Sequence, residues 1–450
     1  MKKIPVIYEV TFIFSANIAG KIFHTMTFRL EFVLFALILL GVALFHKKAF
    51  WFSVIGFIVI LTYKLIFISG FNLGEHFFGT VPFIEQLVDS DKRVGEWGIM
   101  LNLFGILLGF GILSKVFEES GVPAIIPRIL PTNWVGPFIL LILTFFLSTF
   151  LDNIAAALLG GAIAIVVFKN KVHIGYVAAL VAASNAGGSG SVVGDTTTTM
   201  MWIEGVNAAV VLRGFVAAFT ALAVFAYIAA KQQTKYQPIQ PSPEAMNVKI
   251  DWLRILVVVS MLIGAIISNV LYDMPALGVW VVILLSPIII KVPWKEVGGM
   301  MKSAIFLMGL VLSASLMPVE ELPDPSWYSA IFLGVMSAFI DNIPLTKLCL
   351  DQGFYDWGFL AYTVGFGGSM IWFGSSAGVA ITSKFHDARR MISWIKNGWH
   401  VALAYVAGCA MYMLILGWHP ADTRDHKIEK TKELQQKIKG LSYLQPTYRM

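Results

Sequence analysis

Long apolar runs separated by short polar segments fill most of the chain. Runs of this length can cross the roughly 30 Å hydrocarbon core of a bilayer as α-helices. The pattern therefore predicts an all-α polytopic membrane protein with two similar series of apolar segments. The first series lies at 28–46, 49–69, 97–117, 134–168, 174–203 and 207–230. The second lies at 251–272, 276–291, 300–317, 326–350, 358–383 and 397–417.

The fourth run of each series is interrupted near its middle by polar residues. Asp152 and Asn153 interrupt the first series, and Asp341 and Asn342 interrupt the second. A continuous helix would leave the carboxylate near the bilayer centre, where a charge is costly and usually functional. We therefore predict that each run folds as a re-entrant hairpin with the polar pair at its tip.

The fifth run of each series contains glycines where a membrane helix would be regular. The first reads SNAGGSGSVVGDTTTTM, from Ser184 to Met200. Irregular backbone at membrane depth survives only where protein or a water-filled cavity satisfies it, so we predict two broken helices. A polar loop at the membrane surface is the alternative. The glycines expected to let the backbone unwind are Gly187, Gly188 and Gly194, matched by Gly367, Gly368 and Gly374.

These matches at equal spacing indicate a duplication. If each hairpin returns to the side it entered, each half has five crossings, and the odd number inverts the second half relative to the first. We predict a first repeat at 28–230, a cytoplasmic linker at 231–250 and an inverted repeat at 251–417. Residues 1–27 form a signal or an extra span, and 418–450 a charged tail.

Composition agrees with this class: 57 % of the residues are hydrophobic and 13 % are charged, against roughly a quarter charged in soluble chains. The net charge of +6 reflects basic cytoplasmic loops rather than nucleic-acid binding. Basic residues including Lys47, Lys115, Lys169, Lys231, Lys291 and Lys384 fall on one side of this topology, which we predict to be cytoplasmic. Two cysteines without nearby partners favour neither a disulfide framework nor a Cys/His metal site.

The quoted motifs FLDN, SNAGG…GDTTTTMMWI, FIDNIPL and GFGGS…GSSAGVA resemble those of NhaD-type sodium/proton antiporters. These belong to an ion transporter superfamily that also contains arsenite and di- and tricarboxylate permeases. The resemblance covers about 28–417 and implies a homodimer with elevator-like transport. It also implies a polar site. The matching positions are Asp152, Asn153, Asn185, Asp195, Asp341, Asn342, Ser375 and Ser376.

Three carboxylates in a low-dielectric site repel one another, so at least one binds a proton when no cation is present. Sodium or lithium bound by Asp152, Asp195 and Asp341 would displace that proton, which couples the two flows by alternating access. Thr196 and its hydroxyl neighbours would supply neutral oxygens. Structural alternatives exist for several of these residues. They are helix capping by Asn153 and Asn342, close packing by Ser375 and Ser376, and ion pairs of Asp341 with Lys347 and of Glu204 with Arg213.

A second hypothesis keeps transport but changes the cargo to a carboxylate or arsenite, which the aspartates would repel unless bound cations mask them. A third, an intramembrane aspartyl protease, rests on Tyr272-Asp273 and Gly194-Asp195. Asp273 and the following Pro-Ala-Leu are adjacent in one turn, whereas such a site needs separate helices, so we expect no enzyme. We expect no cofactor, and as partners the lipid bilayer, sodium or lithium, and protons. The predicted location is a bacterial inner membrane.

Overall fold

The computed structural model describes residues 29–45, 48–240 and 249–422. Within these ranges the chain is helical apart from its loops and one isolated bridge between Tyr355 and Ala421. The predicted segment 1–27, the centre of the linker and the tail beyond residue 422 lie outside the described residues.

The helices of the first half follow the predicted runs. They are α1 (Leu30–Leu44), α2 (Ala49–Phe67), α3 (Leu73–Phe78), α4 (Phe83–Val88), α5 (Trp97–Glu118), α6 (Val122–Ile129), α7 (Val135–Ser148), α8 (Asn153–Val167), α9 (Ile174–Gly188), α10 (Thr196–Ile203), α11 (Ala208–Val211) and α12 (Gly214–Tyr236). The short helices α3, α4 and α6 were not predicted. Helix α12 continues into the predicted linker, because Gln233 accepts from the His173 N–H and donates to the Lys171 carbonyl.

The helices of the second half also follow the predicted runs. Its helices are α13 (Trp252–Tyr272), α14 (Pro275–Leu285), α15 (Val297–Ser315), α16 (Trp327–Ser337), α17 (Asn342–Gln352), α18 (Trp357–Gly367), α19 (Ser376–Thr382), α20 (Met391–Asn397) and α21 (Trp399–Ile415). In each half, one apolar run is split into two helices that pack together as a helical hairpin. These pairs are α7 with α8 in the first half and α16 with α17 in the second. The next run is split into α9 and α10 in the first half and into α18 and α19 in the second.

Five helices in the described ranges are long and apolar enough to cross a membrane, and a sixth qualifies if α20 and α21, bent by 61° at their junction, count as one span. They lie at Ala49–Phe67, Trp97–Glu118, Ala208–Tyr236, Trp252–Tyr272 and Trp294–Ser315. Several shorter apolar helices lie beside them. The chain is therefore an all-helical polytopic membrane protein.

The helices form two groups. Group I contains α1, α2, α5, α13, α14 and α15, and group II contains α7 to α12 and α16 to α21. Equivalent helices of the two halves have equivalent neighbours: α1 packs on α2 as α13 packs on α14, α5 on α14 as α15 on α2, and α10 on α17 as α19 on α8. Helices α5 and α15 of group I also contact α10 and α17 of group II, so the groups meet along these helices.

Glycines allow the close packing of α13 on α14. A Cβ atom on Gly264 would lie 2.9 Å from the Gly278 carbonyl oxygen, and one on Gly278 would contact the Gly264 carbonyl. Backbone at this distance leaves no room for a side chain, and backbone carbonyls cannot rotate away. The contact therefore depends on glycine at both positions.

We predict that Gly278→Ala lowers the free energy of unfolding by about 1–3 kcal/mol, the usual cost of overpacking. Thermal unfolding of the purified protein in detergent measures this loss. Gly299→Ala is the matched control, because a Cβ there meets nothing within 4 Å and alanine favours a helix over glycine. Equal melting temperatures for the two variants would contradict the prediction.

Candidate functional site: a buried carboxylate between two hairpins

Asp195 lies where the first broken helix resumes. It is the N-cap residue of α10 and is 2 % exposed. Its Oδ2 accepts a hydrogen bond from the Thr197 hydroxyl at 2.8 Å, and its Oδ1 accepts from the Thr197 backbone N–H at 3.4 Å. Aspartate is favoured at this position because its carboxylate satisfies the free N–H groups of the first helical turn. Local sequence therefore fixes the carboxylate at the break in the helix.

Both hairpins supply an amide to this carboxylate. The Asn153 amide at the start of α8 donates to Asp195 Oδ1 at 3.2 Å, and the Asn342 amide at the start of α17 donates to Asp195 Oδ2 at 3.4 Å. Asn153 and Asn342 do not cap their helices. Asp152 and Asp341 do so instead, each by accepting from a backbone N–H at 3.1 Å. Capping by the asparagines, the structural alternative considered above, is thus wrong.

Asn185 connects the two broken helices. Its amide nitrogen donates to the Ser369 hydroxyl at 2.9 Å and the Ser375 hydroxyl at 3.1 Å, while its carbonyl oxygen accepts from Asn153 at 3.1 Å. All four side chains are buried. The network joins residues from both halves of the chain, so the two halves position the Asp195 carboxylate together.

In the second half, Ser375 and Ser376 lie where α19 begins. The Ser376 hydroxyl donates to Asp341 Oδ2 at 3.0 Å, and Ser375 caps α19 by accepting from the Gly378 N–H at 3.3 Å. Asp341 forms this bond to Ser376 and no ion pair with Lys347. The predicted ion pair of Asp341 with Lys347 is therefore wrong, as is that of Glu204 with Arg213, since Lys347 and Glu204 pair with each other at 2.9 Å.

Two cavities reach the aspartates. The first, of about 400 Å³, is lined by Asp152, Asp195 and Thr196, by apolar residues of α5, α8 and α15, and by Lys115 and Lys384. The second, of about 330 Å³, is lined by Asp341 and Ser376. Ile154, Ser303 and Leu307 line both cavities, so the cavities are neighbours with a shared wall.

The three carboxylates of the predicted cation site are not grouped around one point in this structure, and cation binding by them stays a prediction. Among the described residues, no three His, Cys, Asp or Glu side chains approach closely enough to hold one metal ion. The Asp152 and Asp341 carboxylates accept hydrogen bonds from N–H groups at the N-termini of their own helices. Each carboxylate lines a different cavity. The carboxylate that the polar network surrounds is Asp195.

Three of the six predicted glycines, Gly194, Gly368 and Gly374, lie in the unwound segments as expected. Gly187 and Gly188 are still helical, Gly367 ends α18, and none of the six has a positive φ. All six allow close packing. A Cβ would contact backbone carbonyls in each case: Phe145 for Gly187, Gly194 for Gly188, Ser148 for Gly194, Gly334 for Gly367, Gly374 for Gly368 and Ala338 for Gly374. The hairpin helices α7 and α16 can therefore lie against the broken helices.

Threonine hydroxyls satisfy the carbonyls of the unwound segment 189–195. Thr198 donates to the Ser191 and Asp195 carbonyls, and Thr199 donates to the Val192 carbonyl at 2.8 Å. The segment is buried apart from the half-buried Val192 and Val193, so it is packed inside the protein and is not an exposed loop. The Thr198 and Thr199 hydroxyls thus stabilise the unwound segment. Of the four threonines at 196–199, Thr196 and Thr199 line the first cavity.

Comparison with known proteins gives relatives of one kind. Sodium/proton antiporter 1 of Arabidopsis thaliana is 27 % identical over 335 residues, which cover 64 % of this chain and 56 % of the relative. The Na⁺/H⁺ antiporter NhaD of Alkalimonas amylolytica is 26 % identical over 345 residues, 64 % of this chain and 69 % of that protein. The chain is similar to NhaD-type sodium/proton antiporters.

The same similarity recurs over a shorter stretch. The Na⁺/H⁺ antiporter NhaD of Halomonas elongata is 32 % identical over 96 residues, 20 % of this chain and 19 % of that protein. No family model matches the chain. The chain spans only about half the length of the first Arabidopsis relative. The NhaD-type resemblance predicted from the sequence motifs is confirmed.

We predict that Thr198→Val destabilises the unwound segment, because valine has the shape of threonine but leaves the buried Ser191 carbonyl without its hydroxyl donor. The expected loss is about 1–3 kcal/mol in the free energy of unfolding, measured by thermal unfolding in detergent. Thr220→Val is the matched control, since the Thr220 hydroxyl bonds a carbonyl of its own helix at 2.9 Å. A loss in the control equal to that in Thr198→Val would contradict the assignment.

Proposed function

We propose that this protein is a secondary active transporter that exchanges sodium or lithium for protons across a membrane. The observation that carries the proposal is the environment of Asp195. Its carboxylate is buried, its described hydrogen-bond donors are neutral amides, a hydroxyl and a backbone N–H, and no described Lys, Arg or His forms an ion pair with it. The names of the relatives agree with this function.

An uncompensated carboxylate in a low-dielectric interior is costly, so it must gain a proton or a cation. Both neutralise the same charge, and each therefore excludes the other. This competition couples proton movement to cation movement without a further component. We assign Asp195 as the shared site and Asp152, on the same cavity, and Asp341, on the neighbouring cavity, as flanking carboxylates.

For alternating access we propose an inverted repeat of five crossings per half with two re-entrant hairpins. The equivalent packing of the two halves and the paired hairpin tips at Asp195 support it. Group II carries the whole polar network, whereas group I provides the opposing walls, through α5 and α15 in the first cavity and through α1 and α15 in the second. Movement of group II against group I would carry the site between the two faces. A homodimer joined through group I fits this scheme.

Asp195→Asn tests the shared site directly. Asparagine keeps the shape but cannot bind a proton or supply a charge, so we expect sodium and lithium no longer to collapse an imposed pH gradient in everted vesicles. The wild-type protein should respond to sodium or lithium. A wild-type protein that ignores cations but takes up citrate or arsenite would overturn the proposal in favour of anion transport.

Asp324→Asn is the control for this experiment, because Asp324 is an exposed loop carboxylate. It should exchange sodium for protons as the wild type does, at equal protein content in the vesicles. Normal exchange by Asp195→Asn would contradict the assigned role of Asp195.

Asn342→Ala removes one of the two amide donors to Asp195 and gives a graded test. An amide donor favours the charged carboxylate over the protonated one, and a hydrogen bond to a charged group contributes about 1.5–3 kcal/mol. Without this donor protons compete better with sodium, so the sodium concentration for half-maximal response should rise by roughly tenfold or more. The measurement is the same vesicle assay over a range of sodium concentrations. An unchanged half-maximal concentration would show that the amide does not act on the site.

A further inference from the structure

A buried cluster of charged residues lies apart from Asp195. The Lys347 side chain on α17 is 1 % exposed, and its ammonium nitrogen lies 3.0 Å from Glu96, 2.9 Å from Glu204 and 2.7 Å from Asp351. The carboxylates are partly exposed, at 13 %, 18 % and 21 %. We call these four residues the Lys347 cluster. Neither the proposed exchange nor the sequence motifs account for it.

The cluster connects the two helix groups. Glu96 immediately precedes α5 of group I, while Glu204 follows α10 and Lys347 belongs to α17, both of group II. Helices α10 and α17 begin at the site, with Asp195 and Asp341 as their N-cap residues. One ammonium therefore connects the C-terminal end of α10 and the middle of α17 to the N-terminal end of α5 in group I.

The cluster and the first cavity lie at opposite ends of α5. The first cavity is lined by α5 from Leu103 to Glu118 and by Lys115, whereas a separate cavity of about 460 Å³ is lined by Glu96, Gly98, Ile99 and Asn102 together with Lys347 and Glu204. Asp195 lines only the first of these two. Asp195 is thus reached from the Lys115 end of α5. At the Glu96 end of α5, the ion pairs of Lys347 join groups I and II.

We propose that Lys347 is a positioning residue of the exchange cycle: its ion pairs close access to Asp195 from the Glu96 end of α5 and must break for the site to open there. One ammonium lies among three acids, so without Lys347 those acids that are ionised repel one another without a cation between them. The adjacent cavity lets water reach the acids as they separate. This inference rests on the proposed alternating access.

Access can be measured without transport. We would replace Cys349 and Cys409 by alanine and introduce Ala155→Cys, a residue that lines the first cavity beside Asp152. A membrane-impermeant maleimide is then applied to either face, in intact cells and in everted vesicles. With Lys347 present, we expect rapid labelling from the Lys115 face and slow labelling from the opposite face.

Lys347→Gln should shift the population toward the other state, so labelling becomes about threefold or more slower from the Lys115 face and correspondingly faster from the opposite face. Lys347→Arg keeps the charge and should label as the parent does. Lys347→Glu should act like Lys347→Gln, and the charge exchange Lys347→Glu with Glu204→Lys should restore the parent pattern.

A purely structural role of the cluster predicts less folded protein, or equal changes in labelling at both faces. Either result, with normal behaviour of Lys347→Arg, would overturn the proposal. The readout does not depend on the cargo. Opposite shifts in labelling in a protein that ignores sodium and lithium would refute the proposed exchange and leave the role of Lys347 standing.

Discussion

The structure depends on the placement of one carboxylate, Asp195, at a break in a helix inside the protein. A membrane interior offers no water to the backbone groups that such a break exposes. Here the hydroxyls of Thr198 and Thr199 bind the free carbonyls, and the carboxylate itself binds the free N–H group of α10. These hydrogen bonds stabilise the break locally, and they leave the Asp195 carboxylate without a cationic partner among the described residues, as the proposed exchange requires.

The neighbours of Asp195 follow from this constraint. Two hairpin tips must approach the break, and their aspartates cap their own helices while the adjacent asparagines reach the carboxylate. The approach requires helices without side chains at the contacts, which explains glycine at Gly187, Gly194 and Gly367. The two neutral amides orient the Asp195 carboxylate without neutralising its charge.

Periodicity and the repeated motifs predicted the order of the apolar runs, the polar interruptions and the residues around Asp195. They did not predict the contacts of each side chain. Gly187, Gly188 and Gly367 were expected in unwound backbone but are helical, and capping, an alternative considered for Asn153 and Asn342, is done by the preceding aspartates. A motif shows which residues recur, whereas the partner of each side chain is set by the packing of distant segments. The Lys347 cluster was missed for this reason, since Glu96 lies 251 residues from Lys347.

Asp195 and the Lys347 cluster differ in how their charges are compensated. Asp195 has neutral donors and no described ion pair, so in the proposed exchange its charge is available to an ion that arrives and leaves. Lys347 is a covalently attached cation, and it pairs with three carboxylates away from the N-termini of the site helices. In an exchanger, a mobile cation must bind where its arrival changes the charge of the site, and a tethered cation is suited to holding a conformation. In the proposed cycle, the difference between Asp195 and Lys347 thus separates ion binding from closure along the same two helices.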